Sequence, residues 1–378
     1  MNPEWSNEIF EKIKIKLNTE CARNKNIIPF ISHEGRYHDL DSPDGIFWWT
    51  NGFWAGMLWQ MYNAVKDEQY RIAAETVENR LDEALEKFEG LHHDIGFMWL
   101  HTSVANYRLT GNNDSRRRGL HAANILAGRY NPAGKFIRAW NEIDRAGWII
   151  IDSMMNLPLL YWASKETNDP RFKVIAMEHA YTAMNHLVRP DGSCNHIAIL
   201  SPHTGELLDT PGGQGYASGS SWSRGQSWGL YGFALNYLHT GERKFLDTAK
   251  RIAHYVIANF AQNNWLPVVD FRSPPEASSC TKAKYDSTAA MISACGLLEL
   301  ADHVEEYEKQ LYIRSAQLLL AEGEKVFADW NTETDGIIGK GTSCYHCIPQ
   351  EIEVPIIYGD YFFVEAILLL LKKNFFIW

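Results

Sequence analysis

Long hydrophobic runs are missing from this chain. No stretch approaches the ~18 apolar residues of a membrane span; the run Ile367 to Leu371 is apolar but far too short. Basic charge is also scarce. Lys and Arg number 36 against 46 Asp and Glu, a formal net charge of −10. That balance argues against nucleic acid and against an acidic membrane surface as partners. The stretch Met1 to Leu17 lacks a basic n-region, an apolar h-region and a small-residue cleavage site, so no signal peptide is expected. The six cysteines (Cys21, Cys194, Cys280, Cys295, Cys344 and Cys347) are then expected to be thiols in a cytoplasmic protein. Cys344-Tyr-His-Cys347 has the spacing of half a zinc site, but no second half accompanies it. There is no HExxH, and the glycine-rich stretch after Pro211 carries no Lys-Ser/Thr. Those absences argue against a zincin-type metal site and a phosphate-binding P-loop.

Aromatic residues, by contrast, are abundant at 13%, with 14 tryptophans. Tryptophan is seldom spent on surfaces, so a large core or a cleft is expected. No Ser/Pro-rich linker or charge block divides the chain, and residues 1–378 read as one domain. Helical patterning dominates, near residues 4–18, 52–65, 69–88, 97–110, 115–129, 148–166, 170–188, 225–240, 243–260, 285–303, 306–328 and 358–373. Strand-like alternation is confined to short stretches such as Asn195 to Leu200.

A junction recurs along the chain. Lys66-Asp-Glu-Gln-Tyr70, Thr110-Gly-Asn-Asn-Asp114, Thr167-Asn-Asp-Pro-Arg-Phe172 and Thr240-Gly-Glu-Arg-Lys-Phe245 each separate two helices. Asp169 before Pro170 is an N-cap followed by a first-turn proline, and Gly111 and Gly241 suit left-handed helix ends. The helix before each junction is apolar on most sides, as in Trp228-Gly-Leu-Tyr-Gly-Phe-Ala-Leu235. The one after it is amphipathic, as in Phe245 to Val256. A helix apolar all round is surrounded by protein, whereas a striped one faces water. About six such pairs predict an all-α fold, an (α/α)6 barrel: a toroid of six inner and six outer helices. An open α-solenoid is the alternative, but it would not need fully buried helices.

The polar residues inside the apolar segments are the candidates for chemistry. Asp152 lies within Trp148 to Trp162. Burial raises a carboxyl pKa, as a general acid near neutrality requires, although a structural Asp tied to a helix cap explains it equally well. Asn156, one turn on, is placed to hold Asp152, and Pro158 is expected to open the helix beside it. Asp94, in Leu91-His-His-Asp-Ile-Gly-Phe97, is either an N-cap or a second carboxylate at the same mouth. One of His92 and His93 is expected to form a hydrogen bond there. The loop Pro211 to Trp228 carries Gln214, Trp222, Arg224 and Trp228 among glycines that allow close approach to a ligand. Arg224 at a helix start needs an anionic partner, either a substrate or a protein carboxylate. The tryptophans serve either packing or sugar stacking.

Trp49-Thr-Asn-Gly-Phe-Trp54, His92-His-Asp-Ile-Gly-Phe97, Ile149 to Leu160, Ser223-Arg-Gly-Gln-Ser-Trp-Gly229 and Tyr358-Gly-Asp-Tyr-Phe-Phe-Val-Glu-Ala366 resemble the unsaturated glucuronyl hydrolases, glycoside hydrolase family 88. The resemblance runs through nearly the whole chain and implies an (α/α)6 barrel. It implies Asp152 as acid/base, Asp94 as a second essential carboxylate and His196 as a site histidine. Trp49, His93, Trp140, Gln214, Arg224, Trp228 and Tyr345 are implied as substrate contacts. The implied substrate is an unsaturated uronic-acid oligosaccharide, destroyed by hydration of its C4=C5 enol ether with no metal and no cofactor. Cysteines 344 and 347 stand where sulfate-recognising members would place serines, and no lysine follows, which implies unsulfated or otherwise decorated substrates. Alternatives are an unsaturated galacturonyl (rhamnogalacturonyl) hydrolase, a conventional inverting (α/α)6 glycosidase, and a non-catalytic sugar-binding toroid. The sequence specifies no oligomeric state.

Overall fold

The computed structural model describes residues 3–274 and 284–378, so the expected thiol Cys280 lies outside the described residues. Six inner segments form a ring: Phe53–Val65, the joined turns from Ile95 to Thr110, Leu157–Thr167, Ser223–Thr240, Ser287–Ala301 and Ile357–Leu370. The helix Ile357–Leu370 packs against both Ser287–Ala301 and Phe53–Val65, which closes the ring and rules out an open solenoid. Outside it lie Glu68–Arg80, Asn113–Gly128, Pro170–His186, Arg243–Gln262, Glu306–Phe327 and, sealing the seam, Pro3–Asn24. The fold is an (α/α)6 barrel. Every residue from Ser223 to Asn236 is buried, as an inner helix requires, whereas Arg243–Gln262 buries one stripe only. No described helix is long and apolar enough to cross a membrane.

Three of the four junctions use a common device. Thr110, Thr167 and Thr240 each donate back to a carbonyl four residues earlier, at 2.6–2.8 Å. Each also accepts the amide two residues on, at 3.1–3.3 Å. One hydroxyl thus ties the last inner turn to the start of the outer helix. Gly111 and Gly241 are left-handed as expected, and Asp169 accepts the Arg171 amide at 2.9 Å.

Two expected helices are corrected. Residues 69–88 do not form one helix: Glu68–Arg80 ends, and a separate short helix, Asp82–Glu86, follows. More consequentially, 148–166 is not helical throughout. Trp148–Ile150 is a strand, Ile151–Met155 a 3-10 turn, and only Leu157–Thr167 an α-helix. An apolar run by itself does not distinguish a buried helix from a buried strand, and the three successive isoleucines, stiff at χ1, suit a strand. Pro158 accordingly sits in the first helical turn, where a missing amide opens nothing.

Candidate active site

All six inner segments begin at one mouth of the barrel, and the connections entering them build the site. A small antiparallel sheet anchors it. Trp148 pairs with Ile199, Ile149 with Ala198 and Ile150 with Ile197, and the Ile151 amide donates to the His196 carbonyl at 3.0 Å. Asp152 follows one strand and His196 precedes the other, so this register sets them side by side. Asp152 Oδ2 lies 3.5 Å from His196 Nε2. Both atoms are buried, and neither has a hydrogen-bond partner among the described residues.

His196 is held from behind. Its Nδ1 accepts the Gln214 amide at 3.0 Å, which leaves the proton of the neutral ring on Nε2, facing Asp152. Gly213 permits this contact. It sits at φ +58°, and a Cβ there would fall 1.9 Å from His196 Nδ1. The His196 ring also meets the edge of Trp222, with centroids 4.7 Å apart.

Asp94 is not a helix cap, for its side chain takes no amide of the following turn. Asn156 Nδ2 donates to Asp94 Oδ1 at 3.0 Å, and Asn156 Oδ1 accepts the Phe97 amide at 2.7 Å. Asn156 was expected to hold the Asp152 carboxylate; it grips Asp94 instead and reaches only the Asp152 backbone carbonyl. Gly96 makes room for it, since a Cβ there would meet Asn156 Cα at 2.6 Å. The other oxygen, Oδ2, lies 3.1 Å from His93 Nε2 and 3.2 Å from His92 Nδ1. Burial raises the Asp94 carboxyl above its usual range, against the pull of His92 and Asn156 and with the Asp152 charge adding to the rise. Burial also holds His93 well below its ordinary value, so its ring is neutral, and Ser153 Oγ lies 2.9 Å from its Nδ1.

Among the described residues, His92, His93 and Asp94 are the one group of three whose side chains could hold a metal ion, with their ligating atoms within 4.8 Å of one another. Both Asp94 oxygens are already engaged by Asn156 and the two imidazoles. The three groups lie within reach of one another, but the buried His93 Nε2 has no hydrogen-bond partner among the described residues.

These residues face a cavity of about 490 Å³, within the ~300–1,000 Å³ of small-molecule sites. Of the expected residues, Asp94, Asp152, His196, Trp49, Trp140, Gln214 and Arg224 line it. Three do not. His93 is fully buried behind Asp94. Trp228 is also fully buried and supports Trp49, ring centroids 6.4 Å apart and edge to face. Tyr345 donates its amide to the Gln214 carbonyl at 2.8 Å and packs on Tyr216.

The partner expected for Arg224 is a protein carboxylate. Its Nη1 meets Asp286 Oδ2 at 2.5 Å and the Thr342 carbonyl at 2.8 Å, and Nη2 donates to the Ser343 carbonyl. Only the remaining donors of the fork can serve the cavity. Sequence reasoning missed Asp44, Trp48, Asn141, Glu142 and Arg145 in the lining. Arg145 lies over Trp140 and Trp148, 5.4 and 5.2 Å from their ring centroids. An arginine between two tryptophans in one loop was the available signal.

Similarity to known proteins agrees with this arrangement. The model of Glycosyl Hydrolase Family 88 matches residues 23–283. The chain belongs to glycosyl hydrolase family 88. Its relatives in that family include an unsaturated glucuronyl hydrolase of Bacillus sp. (strain GL1), 37% identical over 85% of each chain. An unsaturated chondroitin disaccharide hydrolase of Streptococcus pneumoniae (strain ATCC BAA-255 / R6) is 31% identical, over 85% of this chain and 81% of its own. A solved structure of a UGL variant with dGlcA-Glc-Rha-Glc superposes with a TM-score of 0.87 at 33% identity, covering 96% of both chains. As a family 88 member the chain is a glycosidase of the unsaturated glucuronyl hydrolase kind.

Proposed function

We propose that this family 88 enzyme releases the C4=C5 unsaturated glucuronic acid from the non-reducing end of lyase-generated oligosaccharides, with Asp152 as the proton donor. The observation that carries the assignment is the pair Asp152 Oδ2 and His196 Nε2, 3.5 Å apart and buried on the cavity wall, neither with a hydrogen-bond partner among the described residues. A buried carboxylate oxygen left unsatisfied costs free energy, and a reacting substrate accounts for it.

In the reaction, Asp152 gives its proton to C4 of the enol ether, and positive charge develops on C5 and the ring oxygen. A water loses a proton to Asp152, assisted by His196, and adds to C5. The resulting hemiketal opens, the glycosidic bond breaks, and the acid/base is restored. Such proton transfer contributes about 10²–10⁴-fold. Asp94, steadied by Asn156 and His93, binds sugar hydroxyls. Trp49 and Trp140 offer ring faces, with Trp228 behind Trp49. Gln214 and the unspent donors of Arg224 receive the uronate carboxylate, and Tyr345 fixes the Gln214 backbone. Cysteines at 344 and 347 favour unsulfated or otherwise decorated aglycones over sulfated ones. No disulfide joins the described cysteines, which suits work in the cytoplasm.

The test is the ultraviolet absorbance of the enol in lyase-generated disaccharides, sulfated and unsulfated chondroitin among them. Absorbance falls as unsaturated glucuronate is released, fastest for the unsulfated sugar. Sugar release with undiminished absorbance would mean conventional inverting hydrolysis and would overturn the assignment.

A further inference from the structure

Two thiols without a part in hydration stand next to Ser343, whose carbonyl holds the cavity residues Gln214 and Arg224. Cys344 and Cys347 flank a tight turn whose middle residues are Tyr345 and His346. The ends of such a turn lie within ~7 Å, and disulfides span Cα separations of ~4.4–6.8 Å. Cys347 Sγ folds back over the turn and donates to the Cys344 carbonyl at 2.9 Å. Both are half-buried. The turn is fastened to the site: the Ser343 carbonyl accepts from Gln214 Nε2 at 2.8 Å and from Arg224 Nη2. The Tyr345 amide donates to the Gln214 carbonyl at 2.8 Å, and His346 Nε2 lies 2.8 Å from the Tyr216 carbonyl.

The other described cysteines are buried, and desolvation drives Cys21 and Cys194 up to about 12 and Cys295 well above its ordinary value. Reactivity follows the thiolate and its access, so this half-buried pair reacts ahead of the fully buried Cys21, Cys194 and Cys295.

We propose that Cys344 and Cys347 form an oxidisable dithiol, a modification site that a low-molecular-weight disulfide closes and a dithiol reopens, and whose closure weakens substrate binding through Gln214 and Arg224. One thiolate of the pair attacks one sulfur of the reagent and expels the first thiolate, leaving a mixed disulfide. The other thiol then loses its proton and attacks the protein sulfur of that mixed disulfide, expelling the second thiolate. Two electrons pass from the protein sulfurs to the reagent, so one disulfide is formed and one consumed.

The thiol chemistry is read without substrate. Full-length reduced protein is incubated with oxidised glutathione, alkylated and digested. The peptide holding Cys344 and Cys347 is expected to lose two hydrogens and resist alkylation. Cys344→Ser and Cys347→Ser should each stop at a glutathione adduct on the cysteine that remains. A wild-type peptide that is still alkylated at both cysteines, or that carries only glutathione adducts without an internal disulfide, overturns the site. The binding consequence rests on the hydrolytic reading and is measured separately. Oxidation should raise KM about fivefold, reversibly with dithiothreitol, and leave a Cys344→Ser/Cys347→Ser enzyme unaffected. A disulfide formed without a change in KM refutes the coupling to the site, and a protein inactive in both redox states refutes the hydrolytic reading instead.

Discussion

Gly213→Ala isolates the support behind His196. An alanine at φ +58° carries a backbone cost of ~1–2 kcal/mol. Its Cβ would lie 1.9 Å from His196 Nδ1 and 2.7 Å from Ile197 Cδ1, where ordinary contact begins at 3.4 Å. Relieving the closer clash moves ring and loop apart by about 1.5 Å, the difference between 3.4 and 1.9 Å. That breaks the 3.0 Å bond from the Gln214 amide, a further ~1 kcal/mol, and turns Nε2 away from Asp152. A misplacement of ~1 Å can cost ~10²-fold in rate. The expected result is kcat down about 100-fold by enol absorbance, with Tm lower by a few degrees. Gly219→Ala is the matched control: its φ is +78° in the same loop, with nothing within 4 Å of the added Cβ. It should lose stability alone. If both variants keep kcat within twofold of wild type, or lose it equally, the placement of His196 is not what Gly213 provides.

Asp152→Asn should lower kcat about 10²–10⁴-fold with an unchanged melting curve; normal turnover would remove Asp152 from the chemistry. Asp286→Asn leaves the Arg224 guanidinium buried without its carboxylate, the two side chains being 1% and 0% exposed. It should cost ~3–5 kcal/mol in urea unfolding, and Arg224→Gln added to it should recover part of that loss. Asp94 binds its proton more tightly folded than unfolded, because burial raises its carboxyl. Its effect on stability therefore worsens as pH rises from the unfolded value, near ~3.9, through the raised folded one. Asp94→Asn should melt higher than wild type at neutral pH, and the gap should close toward pH ~4. A variant less stable at every pH would show that His92 and Asn156 outweigh desolvation.

Burial and periodicity were legible in the sequence. Alternating all-apolar and striped helices determined an (α/α)6 toroid, because a helix apolar on every side has to be enclosed by others. The threonine, glycine and aspartate junctions marked where helices turn, since capping is a local interaction between neighbours in the chain. Family motifs brought Asp94, Asp152, His196 and Arg224 forward as candidates. What Asn156 holds was decided elsewhere. One-turn spacing pointed it at Asp152, but Trp148–Ile150 is a strand, and its pairing places Asp152 beside His196 while Asn156 meets Asp94. Strand pairing joins residues about fifty positions apart, and no local pattern encodes that partner. The Asp286 carboxylate against Arg224, 62 residues away, and the two thiols leaning on Gln214 and Arg224 through Ser343 belong to the same class. Local sequence determined which segments are helices and which are enclosed; long-range packing decided which carboxylate is gripped, which is left unsatisfied, and what stands behind them.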